Sequence, residues 1–208
     1  MTKSLKKKLW FIIIGFIVLM APIGYFAKNS LAIDMQNRAM LNATQISPDD
    51  ANVIKESIVQ IDKAIWLYRH DYLFYANKAT LLCQLKKYHE AVITIDQIFK
   101  FKPDYAEGYE IQGFIYDKLG LTDSANYCYK QAIDAHEKRI LKYSSDQEKV
   151  KFAKISIAID RWLLFGQEYG KKELIELRIS YSGDMAVVMF DSTLRNFDRA
   201  SYVNRMIK

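Results

Sequence analysis

The sequence predicts an all-α protein built from stacked pairs of antiparallel helices, and three observations carry that expectation. Apolar residues recur at i, i+4 and i+7 along most of the chain, the period of one helix face. Strand signals are nearly absent, and with 8 Gly and 3 Pro among 208 residues there are few breaks. From Tyr72 to Glu137 the chain also repeats itself at a spacing of 34 residues, long enough for one helix pair with its turns.

The chain opens on a basic tail, residues 1–8, followed by Leu9–Ala27, which carries no charged residue. About 19 helical residues at roughly 1.5 Å each cover about 28 Å, near the ~30 Å hydrocarbon core of a bilayer, so residues 9–27 are expected to form a transmembrane helix. Lys3, Lys6, Lys7 and Lys8 precede it and only Lys28 follows closely. The positive-inside rule then predicts a single-pass protein with a cytoplasmic N-terminus and the helical domain, residues 30–208, on the far side, periplasmic in a bacterium. A cleaved signal peptide, which would leave a secreted or periplasmic soluble domain, is the alternative; bulky Tyr25 at the −3 position of the nearest cleavage site speaks against it. Those five Lys account for nearly all of the net charge of +6. The rest is close to neutral, which gives no support for a nucleic-acid partner.

Residues 31–70 are expected to be a degenerate helix pair. A first helix covers Leu31–Ile46. Ser47 then serves as N-cap with Pro48 at the first helical position and Asp49 and Asp50 in the first turn, opening a helix to about Arg69.

Residues 72–105 and 106–139 are the two best copies of the repeat. Superposed, they put Tyr75 on Tyr109, Ala79 on Gly113, Leu82 on Tyr116, Ala91 on Ala125 and Ile98 on Ala132, with Pro103 closing the first copy. Ala79, Gly113, Ala91 and Ala125 are small where two helices cross, because a larger side chain would force them apart. Lys86-Lys87 and Gly120-Leu121 fall at the turn within each pair, and Gly120 suits a left-handed residue just past a helix end. This order of aromatic, small, aromatic, Ala and Pro positions resembles the tetratricopeptide repeat (TPR), and the resemblance implies a TPR-like α-solenoid.

After copy two, the helix opened by Thr122 is expected to reach about Tyr143. Ser145 with Glu148 three residues on reads as a capping box. It opens a third, degenerate pair over 145–183, with a turn at Gly166–Tyr169. Residues 184–208 carry Met185, Val203 and further apolar positions at helical spacing, with Arg195, Arg199 and Arg205 among them. They are expected to be the C-terminal capping helix that covers the last apolar face of the stack.

No catalytic pattern is present: there is no Gly-rich phosphate loop, no Gly-x-Ser-x-Gly elbow and no His-Glu-x-x-His. His70, His89 and His136 have no second ligand at i+3 or i+4, so they are expected to be solvated, with no metal site and no cofactor. Cys83 and Cys128 are expected to be separate thiols, a disulfide being the alternative. The chain is not expected to be an enzyme.

The resemblance implies instead a concave groove lined by the first helix of each pair. In copy one its positions are Leu73, Ala76, Asn77, Thr80, Cys83 and Gln84, and in copy two Glu107, Glu110, Ile111, Phe114, Asp117 and Lys118. Asn77 also falls on a position that chaperone-adaptor TPR domains use to grip a C-terminal carboxylate. The Lys and Arg of that grip are replaced here by Glu107 and Ile111, so a carboxylate would be repelled. The acidic and apolar face of copy two suits a basic or mixed apolar peptide or partner helix. The expected function is a membrane-tethered interaction scaffold or adaptor in assembly or quality control of envelope proteins, or a structural subunit of a membrane complex.

Overall fold

The computed structural model describes residues 3–186 and 198–207, and among these every regular element is a helix. In chain order they are α1 (Lys3–Leu41), a π-helical turn (Asn42–Ile46), α2 (Ala51–Leu67), α3 (Tyr72–Gln84), α4 (Tyr88–Phe99), α5 (Ala106–Lys118), α6 (Thr122–Lys142), α7 (Gln147–Phe165), α8 (Gln167–Ser180) and α9 (Arg199–Met206). The expected all-α class is therefore observed. Of the expected closing segment, residues 187–197 and 208 lie outside the described residues.

Contacts divide the chain into two units, Met1–Leu81 and Leu82–Lys208. In the first, α1 packs on α2. Ala32, Gln36 and Ala39 of α1 and Ala43 of the π-helical turn are buried, at steps of 4, 3 and 4 that keep them on one face. On α2, Ile54, Ser57, Ile61 and Ala64 do the same. The cap of α2 differs from the expected Ser47: Asp50 accepts from the backbone N–H of Asn52 and Val53. Pro48 therefore lies in the preceding turn, because the carboxylate nearest the first free N–H groups takes the capping role.

Among the described residues no helix is long and apolar enough to cross a membrane. This corrects the expected single-pass placement, with residues 9–27 spanning a bilayer and the domain beyond it. Of that stretch, the side chains of residues 9 and 11–19 lie outside the described ones. The described part of α1 is interrupted by Lys28, Asp34 and Arg38 and carries Pro22 inside it. Its buried face is made largely of alanine.

In the second unit α5 packs on α6, α6 on α7 and α7 on α8, while α4 and α9 both meet α5. From α5 to α8, successive helices joined by one to four residues fold back on one another. Two core regions result. Between α5 and α6, Ile115, Ala125, Tyr129 and Ala132 are fully buried; between α7 and α8, Ala158, Trp162 and Leu174 form a cluster that Ile159 and Leu177 pack against. The cap of α7 is Asp146, whose side chain accepts from Lys149 N–H, one residue beyond the expected Ser145. Gly166, at φ 92°, makes the whole break between α7 and α8, so the helix expected to start at Gly170 starts at Gln167.

The 34-residue period is also a period of geometry. The Tyr75 hydroxyl donates to the Arg69 carbonyl and the Tyr109 hydroxyl to the Pro103 carbonyl, each at 3.1 Å. Lys78 donates to Asp62 at 2.6 Å, and Gln112 to Asp96 at 2.7 Å. At the turns, Lys87 N–H reaches the Leu82 carbonyl and Leu121 N–H the Tyr116 carbonyl, each at 2.8 Å. Lys86 and Gly120 occupy the left-handed region at φ 58° and 73°. This is the Schellman ending, which favours glycine at that position. Lys86 holds it at a steric cost of about 1 kcal/mol, so Lys86→Gly is expected to raise stability by about 0.5–1 kcal/mol in denaturant unfolding.

Candidate partner-binding face and a buried polar cluster

On α5 the residues Glu107, Glu110, Ile111, Phe114, Asp117 and Lys118 lie at steps of 3, 1, 3, 3 and 1, so they form one stripe along the helix. That stripe is already engaged by the chain itself. Glu107 accepts from both terminal nitrogens of Arg139 on α6, at 2.6 and 2.8 Å. Burial alone would raise the Glu107 carboxyl, but the two Arg139 bonds outweigh it and hold the group below the usual carboxylate range. Glu110 meets His136 Nε2 at 2.8 Å.

Further along, α9 covers the stripe. Arg199 donates to both Asp117 oxygens, at 2.6 and 2.9 Å, and to the Leu163 carbonyl on α7 at 2.6 Å. The Tyr129 hydroxyl reaches the same Asp117 at 2.8 Å, and the Arg199 guanidinium lies over the Tyr129 ring, 5.7 Å from its centre. Tyr202 meets Phe114 edge to face at 5.9 Å, Val203 is buried, and Lys118 donates to Asn204. The helix is anchored by its own cap, Asp198 accepting from Ser201 N–H at 2.8 Å. A basic and aromatic helix therefore sits on an acidic and apolar one, and the guanidinium–carboxylate fork supplies the directional part of the contact.

The expected groove positions are thus not alike. Phe114 and Ala76 are buried, as is Cys83. Glu107, Glu110 and Asp117 are paired within the chain. Ile111 is half-buried, and so are Asn77, Thr80 and Gln84, while Leu73 is exposed. Of the positions expected to pack the repeats, Ala79, Ala91, Ala125, Ala132, Leu82 and Gly113 are buried; Tyr75, Tyr109 and Tyr116 are half-buried, and Pro103 is exposed. Cys83 and Cys128 are free buried thiols, each pushed up to about 12, in both cases chiefly by burial.

The Glu107–Arg139 pair makes a pH prediction. A carboxyl held below its unfolded value contributes stability that is present above the ordinary range near ~4.3 and is lost as pH falls. Solvent still reaches both side chains, so the contribution is modest, about 1 kcal/mol. Glu107→Gln is expected to lower stability by about that amount at pH 7. The loss should shrink between about pH 5 and pH 3, as followed by chemical denaturation.

One histidine departs from its expected place. His136, expected to be solvated, is 1% exposed, because it lies four residues after buried Ala132 and shares its face of α6. It meets Glu110 from α5 and Asp160 from α7, and one ligand-type atom from each of the three lies within 4.8 Å of the others. Asp160 is also 1% exposed, three residues after buried Ile157. Burial, reinforced by the neighbouring Glu110, drives the Asp160 carboxyl well above its usual range. Nearby Tyr202 feels the same charges: burial, then the fields of Glu110 and Asp160, push its hydroxyl up. Asp160 Oδ2 and His136 Nδ1 are buried without a hydrogen-bond partner. Because the three residues stand 26 and 24 positions apart, no local motif announces them.

The chain matches no protein-family model and none of the curated proteins.

Proposed function

We propose that this chain is a TPR-like helical-repeat scaffold that binds a peptide or a partner helix and does no chemistry of its own. The repeat reading is supported by the recurrence, 34 residues on, of the tyrosine-to-carbonyl bond, the inter-helix polar bond and the left-handed turn. The binding reading rests on one observation above all: the α5 stripe already holds a helix of stated chemistry, Arg199 on Asp117 and Tyr202 on Phe114. A partner presenting a basic residue and an aromatic one three positions later offers the same contacts. Such a partner replaces α9 on the stripe, in the helix-in-groove manner.

The test is a photoreactive side chain at Ile111 in the full chain. Arg199→Glu sets a second acid beside Asp117 and should release α9, so capture of a discrete protein partner is expected to rise several-fold. Adding Asp117→Lys lets residues 117 and 199 pair again with their charges exchanged, and capture should fall back. Capture that ignores both substitutions overturns the reading.

A further inference from the structure

We propose that Glu110, His136 and Asp160 form a binding site for a divalent transition-metal ion of the zinc class. The three side chains come from α5, α6 and α7, so the site joins three successive helices of the second unit. The donors are one imidazole nitrogen and two carboxylates, a set suited to borderline divalent ions rather than to calcium or magnesium, which take oxygen alone. Ligands held at about 2.0–2.2 Å from one ion lie no more than roughly 4 Å apart. For one ion to reach all three, the present spread of up to 4.8 Å has to shorten by roughly 1 Å.

The interior here is also short of partners in a way that an ion would remedy. Buried polar atoms are nearly always bonded, yet Asp160 Oδ2 has no hydrogen-bond partner. The buried Asp160 carboxyl stands near the half-buried Glu110 carboxyl, and the guanidinium groups of Arg139 and Arg199 are committed to Glu107 and Asp117. A divalent ion neutralises both carboxylates at once. Tyr202, itself buried, lies within the field of Glu110 and Asp160.

The site is independent of the partner-binding reading, and its test does not use a partner. The full chain, freed of metal by chelation and dialysed, is titrated with zinc by calorimetry and by thermal unfolding. One ion per chain and a rise of several degrees in melting temperature are expected. Cobalt in its place should give visible d–d absorption. Asp160→Asn and Glu110→Gln keep shape while removing a ligand charge, so each should weaken binding at least tenfold and abolish the cobalt band. Asp160→Asn should itself melt no lower than the metal-free protein, which shows that the variant folds. Failure to retain an ion, or retention that both variants leave unchanged, overturns the proposal.

Discussion

Gly113→Leu is expected to be among the most damaging single substitutions in this chain, with a loss of more than about 3 kcal/mol. A Cβ at position 113 would lie 2.4 Å from Tyr129 Cε1, and 2.8 and 2.9 Å from the next two ring atoms. The ring has nowhere to go. Tyr129 is fully buried, its hydroxyl is bonded to Asp117, and Arg199 lies over its face. Even Gly113→Ala should therefore lower stability, by about 1–3 kcal/mol, although alanine is the better helix former by about 1 kcal/mol. In a chain of this size each kcal/mol moves the melting temperature by about 2–4 °C. The alanine variant alone should melt several degrees lower, and an unchanged transition would mean that α5 and α6 do not cross at Gly113.

Trp162→Ala is expected to lower stability by about 3–5 kcal/mol. Trp162 is 2% exposed and is the largest member of the cluster that joins α7 to α8, with Ala158 and Leu174. The other residues of that cluster and those packed against it are aliphatic or alanine, so none of them matches the indole in size. Removing the indole leaves a cavity, and its cost depends on how far α8 can collapse onto α7. Because the loss is local to this pair, amide exchange in α8 should accelerate more than in α5. Uniform acceleration would show that the second unit unfolds as one body.

The helical class and most helix boundaries were legible because each rests on a local signal: apolar period, cap-forming side chains, or a glycine past a helix end. Where adjacent residues offer the same local chemistry, that signal loses its edge. Ser47 and Asp50 can each cap a helix, as can Ser145 and Asp146, and only the approach of the preceding chain selects the later one of each. The apolar run 9–27 illustrates a different limit, since a continuous helix reaching Leu41 shares its residues between that run and a face packed on α2.

The candidate site was less legible for a further reason. Glu107, Glu110 and Asp117 read as a free acidic face, yet their partners Arg139, His136 and Arg199 lie 32, 26 and 82 residues away. Such pairings are set by how helices stack and leave no trace in spacing. His136 and Asp160 did carry a signal: each continues the apolar period of its helix, after Ala132 and Ile157. A polar residue at a position that the period assigns to the core calls for a buried partner.

The most direct test of the α5 stripe as a recognition surface is the binding of a peptide with the sequence of residues 198–207, Asp198 to Ile207, measured by fluorescence anisotropy. Weak binding is expected to the wild-type chain, where α9 holds the stripe. Binding should tighten at least tenfold in Arg199→Glu, where α9 is released, and be lost in the double variant Asp117→Lys with Arg199→Glu. Equal affinity for all three would contradict the account and leave the α9–α5 contact a feature of the fold alone.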